Sequence, residues 1–145
     1  MDPRAANSVG SPKGRTDYEA YRDRFQPIMV EGRLFARRAP GQPIEVAGTA
    51  SAAPDGKILH AGNMYLQAKE VCGIIQLAIE DLGGTLDDVV RTRVFVTDIS
   101  QWEAAGNAHH EAFGHMEFPP ASAFYGISEL LHPDLLIEIE ATALV

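Results

Sequence analysis

The C-terminal stretch, residues 135–145, constrains the fold most strongly, because its side chains alternate in character as they do along a β-strand. One face of that strand is continuous and apolar, and it consists of Leu135, Ile137, Ile139, Ala141, Ala143 and Val145. The opposite face consists of Leu136, Glu138, Glu140, Thr142 and Leu144. Two carboxylates among leucines fit a solvated sheet face, or a face that another subunit covers around a carboxylate in a cleft. The residues alone leave both interpretations open.

Length and composition indicate one soluble domain. A chain of 145 residues that is 46% hydrophobic is large enough to bury a sizeable core. No run approaches the ~18 apolar residues of a membrane span, and the first residues lack the apolar segment of a secretion signal. The single cysteine, Cys72, has no partner for an internal disulfide. We therefore expect a cytoplasmic protein without a membrane partner.

Charge and motifs exclude several function classes. The net charge of −8 argues against nucleic acid as the main partner, because such binding depends mostly on Lys and Arg. His110 and His115 are five residues apart, about 140° around a helix, so they do not share a face for a metal. The sequence contains no phosphate-binding loop, nucleophile elbow or dinucleotide fingerprint. We expect neither a metal nor a cofactor.

The order of the predicted elements indicates the fold. Residues 1–30 are predicted to be a polar, partly mobile extension with a short helix at 17–25, and residues 31–145 form the domain. The domain begins with a hairpin of strands 33–39 and 43–49 around the Pro-Gly turn at 40–41. A helix at 63–82, a strand at 89–97, a helix from Ser100, a strand at 121–127 and the final strand follow. This order predicts an α+β domain with one mixed sheet and both helices on one side.

Each predicted helix carries an apolar stripe. The first stripe recurs every three and four residues and consists of Ala68, Val71, Cys72, Ile75, Ala78, Ile79 and Leu82. The second helix starts with a capping-box pattern at residues 100–103, and its predicted stripe consists of Trp102, Gly106, His109 and Phe113. The other side of the sheet then stays bare, and self-association would cover it.

Glu138 is the candidate catalytic residue. A carboxylate in a partly apolar interface has a raised pKa, so it can hold a water molecule and transfer protons near neutral pH. Asn107 could orient the water or a substrate. Ser122 and Phe124 share one face of a strand that we expect next to the final strand, so they would line the same cleft.

Six segments of the chain resemble the Rid family, also called YjgF/YER057c/UK114 and labelled endoribonuclease L-PSP, over about residues 35–145. They are Val-Ala-Gly-Thr at 46–49, Leu-Gly-Gly-Thr-Leu-Asp-Asp-Val-Val at 82–90, Arg-Val-Phe-Val-Thr-Asp at 93–98, Asn107 before His-Glu-Ala-Phe at 110–113, Pro120-Ala121, and Ile-Glu-Ile-Glu-Ala at 137–141. Their combination is specific.

The resemblance implies a chorismate-mutase-like subunit in a homotrimer with three intersubunit clefts. It also implies cofactor-free hydrolysis of enamines and imines such as 2-aminoacrylate. In that scheme an arginine after Pro-Ala binds the substrate carboxylate, a glutamate that Glu138 matches positions water, and Asn107 matches a helix asparagine. Phe35 and Thr49 are implied to line the cleft.

The chain departs from this pattern at the arginine. Pro120-Ala121 is followed by Ser122, which carries no charge, and Phe124 stands where a small residue is usual in the family. We therefore expect an imine or enamine hydrolase for a bulkier or less anionic substrate, or a small-molecule binding protein that has lost the chemistry. Ribonuclease activity ranks third, because the chain is acidic and lacks an obvious basic-aromatic surface.

Overall fold

The computed structural model describes residues 29–30, 33–34, 36–37 and 42–145. The predicted extension, its helix at 17–25 and the turn at 40–41 lie outside the described residues. The described part contains strands β1 (Met29–Val30), β2 (Arg33–Leu34), β3 (Ala36–Arg37), β4 (Ile44–Ala50), β5 (Val89–Val96), β6 (Ala121–Gly126) and β7 (Ile137–Ala143), with helices α1 (Met64–Asp81) and α2 (Trp102–Phe113).

A five-stranded sheet in the order β3-β4-β7-β5-β6 forms the body of the subunit. Strands β5 and β6 are parallel, and the other neighbours are antiparallel. The short strands β1 and β2 pair separately with each other. The prediction of an α+β domain with a single mixed main sheet is confirmed. The final strand, β7, is central and pairs with both β4 and β5.

Helix α1 follows the predicted pattern closely. The side chain of Asn63 accepts a hydrogen bond from the backbone N–H of Leu66 and caps the helix. The predicted stripe is buried except for Leu82, which is partly buried at the C-cap. Gly83 follows with φ +89, a backbone conformation that glycine adopts without strain. No helix among the described residues is long and apolar enough to cross a membrane.

Helix α2 differs from its predicted start and stripe. The carboxylate of Asp98, rather than Ser100, caps the preceding 3-10 turn and accepts hydrogen bonds from the backbone N–H of Ser100 at 3.1 Å and its hydroxyl at 2.6 Å. Trp102 is 54% exposed, so its predicted place in the buried stripe was wrong. The residues that α2 buries are Ala105, Ala108 and Phe113.

The two faces of the sheet have opposite characters. Along β7, buried and partly buried residues alternate as predicted, and the core face meets both helices. The open face carries partly buried or exposed side chains, which include Glu45, Arg91, Arg93, Phe95, Tyr125, Glu138, Glu140 and Thr142. Neither helix packs on this open face, because both contact the core residues on the opposite side.

Candidate functional site

Glu138 lies on the open face, in the middle of the sheet. Its register partners are Phe95 on β5 and Ala50 on β4. Burial raises the pKa of Glu138 above the usual value for a glutamic acid, and the nearby Glu140 carboxylate raises it further. Among the described residues, no hydrogen bond or ion pair engages the Glu138 carboxylate, whereas Glu140 pairs with Arg93 at 3.5 Å. Glu138 is therefore the carboxylate on this face that is available to hold water or a ligand.

The backbone at Gly48 makes room for the Glu138 carboxylate. The register of β4 against β7 shifts between Val46 and Thr49, as at a β-bulge, and Gly48 lies within this shift. A Cβ atom at Gly48 would lie 2.7 Å from Oε1 and 2.8 Å from Cδ of Glu138. A side chain at this position would displace the carboxylate.

The substitution Gly48→Ala is expected to reduce activity while it leaves the stability of the fold almost unchanged. The Glu138 carboxylate is the end of a flexible side chain, so it can move away from the new methyl group at little cost in folding free energy. We expect a change in Tm of less than about 2 °C and a loss of any activity that depends on Glu138. Gly106→Ala is the control, because its Cβ would meet nothing within 4 Å. A large fall in Tm for Gly48→Ala alone would contradict this view of the bulge.

A second polar cluster lies on the helix side of the sheet, at the β6 edge. The hydroxyl of Ser122 lies 2.6 Å from Oγ1 of Thr92 and 3.4 Å from Nε2 of His109 on α2. The Thr92 hydroxyl is 2.8 Å from the same His109 nitrogen. The imidazole packs against the rings of Phe113, at 4.7 Å between centroids, and Phe124, at 5.8 Å in an edge-on arrangement. These contacts hold the imidazole against β5 and β6.

Burial lowers the pKa of His109 below the usual range, and the adjacent His110 lowers it further. His109 is therefore neutral at physiological pH, with one ring nitrogen able to accept a proton. Ser122 is an exposed residue, whereas Thr92 is 1% exposed, so Ser122 is the end of the cluster nearer to solvent. The sequence pattern pointed to Ser122 and Phe124 but missed Thr92 and the contact of His109 with both hydroxyls.

The structure separates the predicted site residues into two groups. Strand β5 lies between β6 and β7, so the expectation that the Ser122 strand neighbours the final strand was wrong. Ser122 is in register with Thr92 and Ala141 on the core face, whereas Glu138 is in register with Phe95 on the open face. Within one chain, Ser122 and Glu138 therefore point to opposite sides of the sheet.

The remaining predicted residues have three different placements. Asn107 is exposed on α2, on the helix side of the sheet, and no hydrogen bond within the described residues joins it to Ser122. Thr49 is 2% exposed, and its hydroxyl donates to the carbonyl of Ala47 at 2.9 Å, so it belongs to the core face rather than beside Glu138. Phe35 lies outside the described residues.

A groove of about 500 Å³ lies between α1 and α2, away from both polar groups. Cys72 lines it but is buried, as the sequence predicted, and burial raises the pKa of its thiol to about 12. This thiol is therefore inert near neutral pH. Within the described residues no group of three or more His, Cys, Asp or Glu side chains could hold a metal ion.

The sheet order, the two helices on one face and the carboxylate on the other define a small α+β subunit of the YjgF type. Residues 35–145 match the family described as Endoribonuclease L-PSP. The chain belongs to this family, also known as Rid or YjgF/YER057c/UK114. It is 33% identical over 127 residues to a RutC family protein from Pyrococcus abyssi, which covers 79% of this chain and 98% of the relative.

Solved structures show the same fold. A YjgF/YER057c/UK114 family member from Mycobacterium tuberculosis is 37% identical, with a TM-score of 0.67 over 79% of this chain and 88% of that chain. The YjgF protein of E. coli is 24% identical, with a TM-score of 0.70 over 81% of this chain and 91% of that chain. The predicted fold class is confirmed by these likenesses.

Proposed function

We propose that the chain is a cofactor-free hydrolase of imines or enamines whose substrate is bulkier or less anionic than 2-aminoacrylate. The half-buried Glu138 carboxylate carries this proposal, because its raised pKa and its lack of a partner among the described residues suit a group that positions water. Glu138 would accept a proton from water as the water oxygen attacks the carbon of the C=N bond, and would pass that proton to the nitrogen to give the neutral carbinolamine. Collapse of the carbinolamine would then release ammonia and leave the carbonyl product.

The proposed site requires more than one copy of the chain. Ser122 and Asn107 lie on the helix side and Glu138 on the open face, so only a neighbouring copy could bring the two groups together. A homotrimer with intersubunit clefts, as the family resemblance implies, would also cover Phe95 and Tyr125, whose rings stack on the open face at 5.6 Å between centroids. Sedimentation analysis that found only monomers would overturn this arrangement.

The substrate side of the proposed cleft lacks the family's positive anchor. Ser122 is neutral, and the ring of Phe124 packs edge-on against His109, so this part of the site would favour an uncharged, partly apolar group. An arginine–carboxylate pair contributes about 1.5–3 kcal/mol, or roughly 10- to 100-fold in binding. Its absence accounts for the expected change in specificity.

A comparison of two imines tests this proposal. We expect little acceleration for 2-iminobutyrate generated in situ from an amino acid, and clear acceleration for the neutral imine that an amine oxidase makes from benzylamine. Semicarbazone trapping measures the imine that remains. Ser122→Arg should gain partial activity on 2-iminobutyrate, up to about 10-fold, whereas Ser128→Arg, at an exposed loop position, should not.

Two outcomes would contradict the proposal. Rapid turnover of 2-iminobutyrate by the unmodified protein would show that the missing arginine does not set specificity. If neither imine is hydrolysed faster and a metabolite raises Tm, the chain is a small-molecule binding protein rather than a hydrolase.

A further inference from the structure

Ser122, on the edge strand β6, has a hydroxyl that a chain of hydrogen bonds connects to a histidine, as in a serine that acts as a nucleophile. It is exposed, its Oγ lies 2.6 Å from the Thr92 hydroxyl, and the Thr92 hydroxyl lies 2.8 Å from Nε2 of His109. The Ser122 hydroxyl can also donate to the carbonyl of Pro120 at 3.1 Å, so rotation about its C–O bond moves its proton between two acceptors. In one of these arrangements the Ser122 hydroxyl donates to Thr92, and the Thr92 hydroxyl donates to the imidazole of His109.

We propose that Ser122 is a nucleophile whose proton passes through Thr92 to His109, and that it reacts with small neutral esters and other activated acyl compounds. This activity uses Ser122, which also lines the cleft proposed above, but it does not use Glu138, so its chemistry differs from the imine hydrolysis. It assigns a role to two residues, Thr92 and His109, that the proposed hydrolysis leaves without one.

The imidazole can act as the base in this arrangement. A nucleophilic serine needs a neutral base within hydrogen-bond reach, and the base must be held in position by a third group. Here the rings of Phe113 and Phe124 hold the imidazole, in place of the carboxylate that serine hydrolases use. Without that carboxylate we expect a reactivity well below that of a complete triad.

The electrostatic surroundings of His109 keep it neutral. The faces of β5 and β6 toward the ring carry Thr92, Val94, Ser122 and Phe124, none of which titrates near neutral pH. On α2 itself, His110 is the neighbouring titratable group that acts on His109. Burial and His110 both disfavour the imidazolium and so lower the pKa of His109. The imidazole is therefore neutral, and able to accept a proton, down to a lower pH than a free histidine.

The edge of the sheet supplies donors for the developing oxyanion. The N–H of Ile127 donates to the carbonyl of Val96 on β5. Because the direction of the N–H groups alternates along a strand, those of residues 121, 123 and 125 also point to β5. The N–H groups of Ser122 and Phe124 therefore point to the outer edge, where no described strand pairs with β6. Backbone N–H groups of this kind stabilise tetrahedral oxyanions.

The reaction balances without a cofactor. Oγ of Ser122 attacks the acyl carbon while its proton moves to Oγ1 of Thr92 and the Thr92 proton moves to Nε2 of His109. The carbon–oxygen bond to the alcohol then breaks, and the alkoxide takes the proton back from the imidazolium. Water attacks the acyl-serine by the same route, which releases the carboxylic acid and restores Ser122.

Labelling with a fluorophosphonate tests the nucleophile without any knowledge of the natural substrate. In this reaction the serine oxygen forms a bond to phosphorus and fluoride leaves, and peptide mass spectrometry locates the adduct. We expect labelling at Ser122 at least 10-fold faster than at the exposed Ser128. The rate should rise with pH through the lowered pKa of His109 and then level off. Ser122→Ala should remove the adduct.

Variants of the relay distinguish it from a structural hydrogen-bond network. His109→Gln should slow labelling by about 10- to 100-fold and abolish the pH step, whereas His110→Gln at the exposed neighbour should keep the step and shift it to higher pH. Thr92→Ser keeps the hydroxyl and should label like the unmodified protein, while Thr92→Val should be as slow as His109→Gln. Tm measured for each variant identifies misfolding.

The outcome is independent of the imine hydrolysis proposed above. The labelling assay contains no imine and follows only the adduct at Ser122, so a failed imine assay leaves this test intact. Labelling of Ser122 no faster than Ser128, or equal labelling of Thr92→Val and Thr92→Ser, would overturn the relay and leave the cluster as a structural link between α2 and the sheet.

Discussion

Glu138→Gln is expected to reduce imine hydrolysis by about 100- to 10,000-fold, which is the usual contribution of a general base. Glutamine keeps the size of the side chain above Gly48 and can still contact water, but it cannot accept the water's proton. The loss should therefore appear in kcat rather than in KM. The neutral imine described above is the substrate for this measurement, because it should be turned over by the unmodified protein.

Glu140→Gln is the matched control, two residues along the same strand and on the same face. Its pair with Arg93 is partly exposed, so its removal should cost less than about 1 kcal/mol of stability. Activity should persist, and the acid limb of the pH–rate profile should move to lower pH, because Glu140 contributes to the raised pKa of Glu138. Equal losses in both variants would contradict a specific role for Glu138.

The same pKa shift fixes the sign of a stability effect. Because the pKa of Glu138 is raised in the folded protein, the folded state binds this proton more tightly than the unfolded chain does. Its contribution to stability is present below the unfolded pKa and is lost as pH rises through the folded pKa. Glu138→Gln should therefore raise Tm at pH 7.5, and the difference from the unmodified protein should disappear near pH 4.

The fold was predictable wherever the hydrophobic pattern was regular. The first helix and the central strand β7 have regular periods of 3.6 and 2, so their buried apolar residues followed from residue type, whereas the buried Gln67 and Glu70 of α1 did not. The pattern failed in α2, where small alanines occupy the buried positions and the large Trp102 faces outward. Size is a poor guide where a helix packs closely against its neighbour, because Ala105 and Ala108 allow the approach that a larger residue would prevent.

The sequence predicted individual residues of the candidate site but not their arrangement in space. Glu138 stood out because two carboxylates among leucines are an unusual mixture for one face of a strand. Which strand lies beside β7 depends on the crossover that places β5 between β6 and β7, and that order has no local signal in the sequence. The contact of His109 with Thr92 joins residues that are 17 positions apart, and no periodicity in either segment predicts it.

Gln67→Leu is expected to destabilise the protein by about 2–5 kcal/mol, more than any substitution on the open face. Gln67 is 0% exposed in α1, yet it is polar. Its amide nitrogen donates to the carbonyls of Asp134 at 2.8 Å and Leu59 at 3.2 Å, and its oxygen accepts from the N–H of Leu136 at 2.9 Å. One buried side chain thus holds two loops, including the turn that leads into β7.

Leucine would leave two of these backbone groups without their partner. The carbonyl of Leu59 also accepts from the Ser51 hydroxyl at 3.0 Å, so it stays paired, whereas the hydrogen bonds to Asp134 and Leu136 are lost. Each buried group left unpaired costs about 1–3 kcal/mol. Urea unfolding at a fixed protein concentration measures the sum. Gln76→Leu is the control, because among the described residues the Gln76 side chain, on the same helix, bonds to the Glu80 side chain and to no backbone group.

The two glutamines should differ by more than 1 kcal/mol if the loop before β7 depends on α1 for its shape. Leu136 lies two residues before Glu138, so the released segment would also disturb the start of the strand that carries the carboxylate. Activity of Gln67→Leu should then fall at temperatures below its own Tm, in parallel with faster amide hydrogen exchange at residues 134–138. Equal free energies of unfolding for the two variants would show that the loops keep their positions without Gln67.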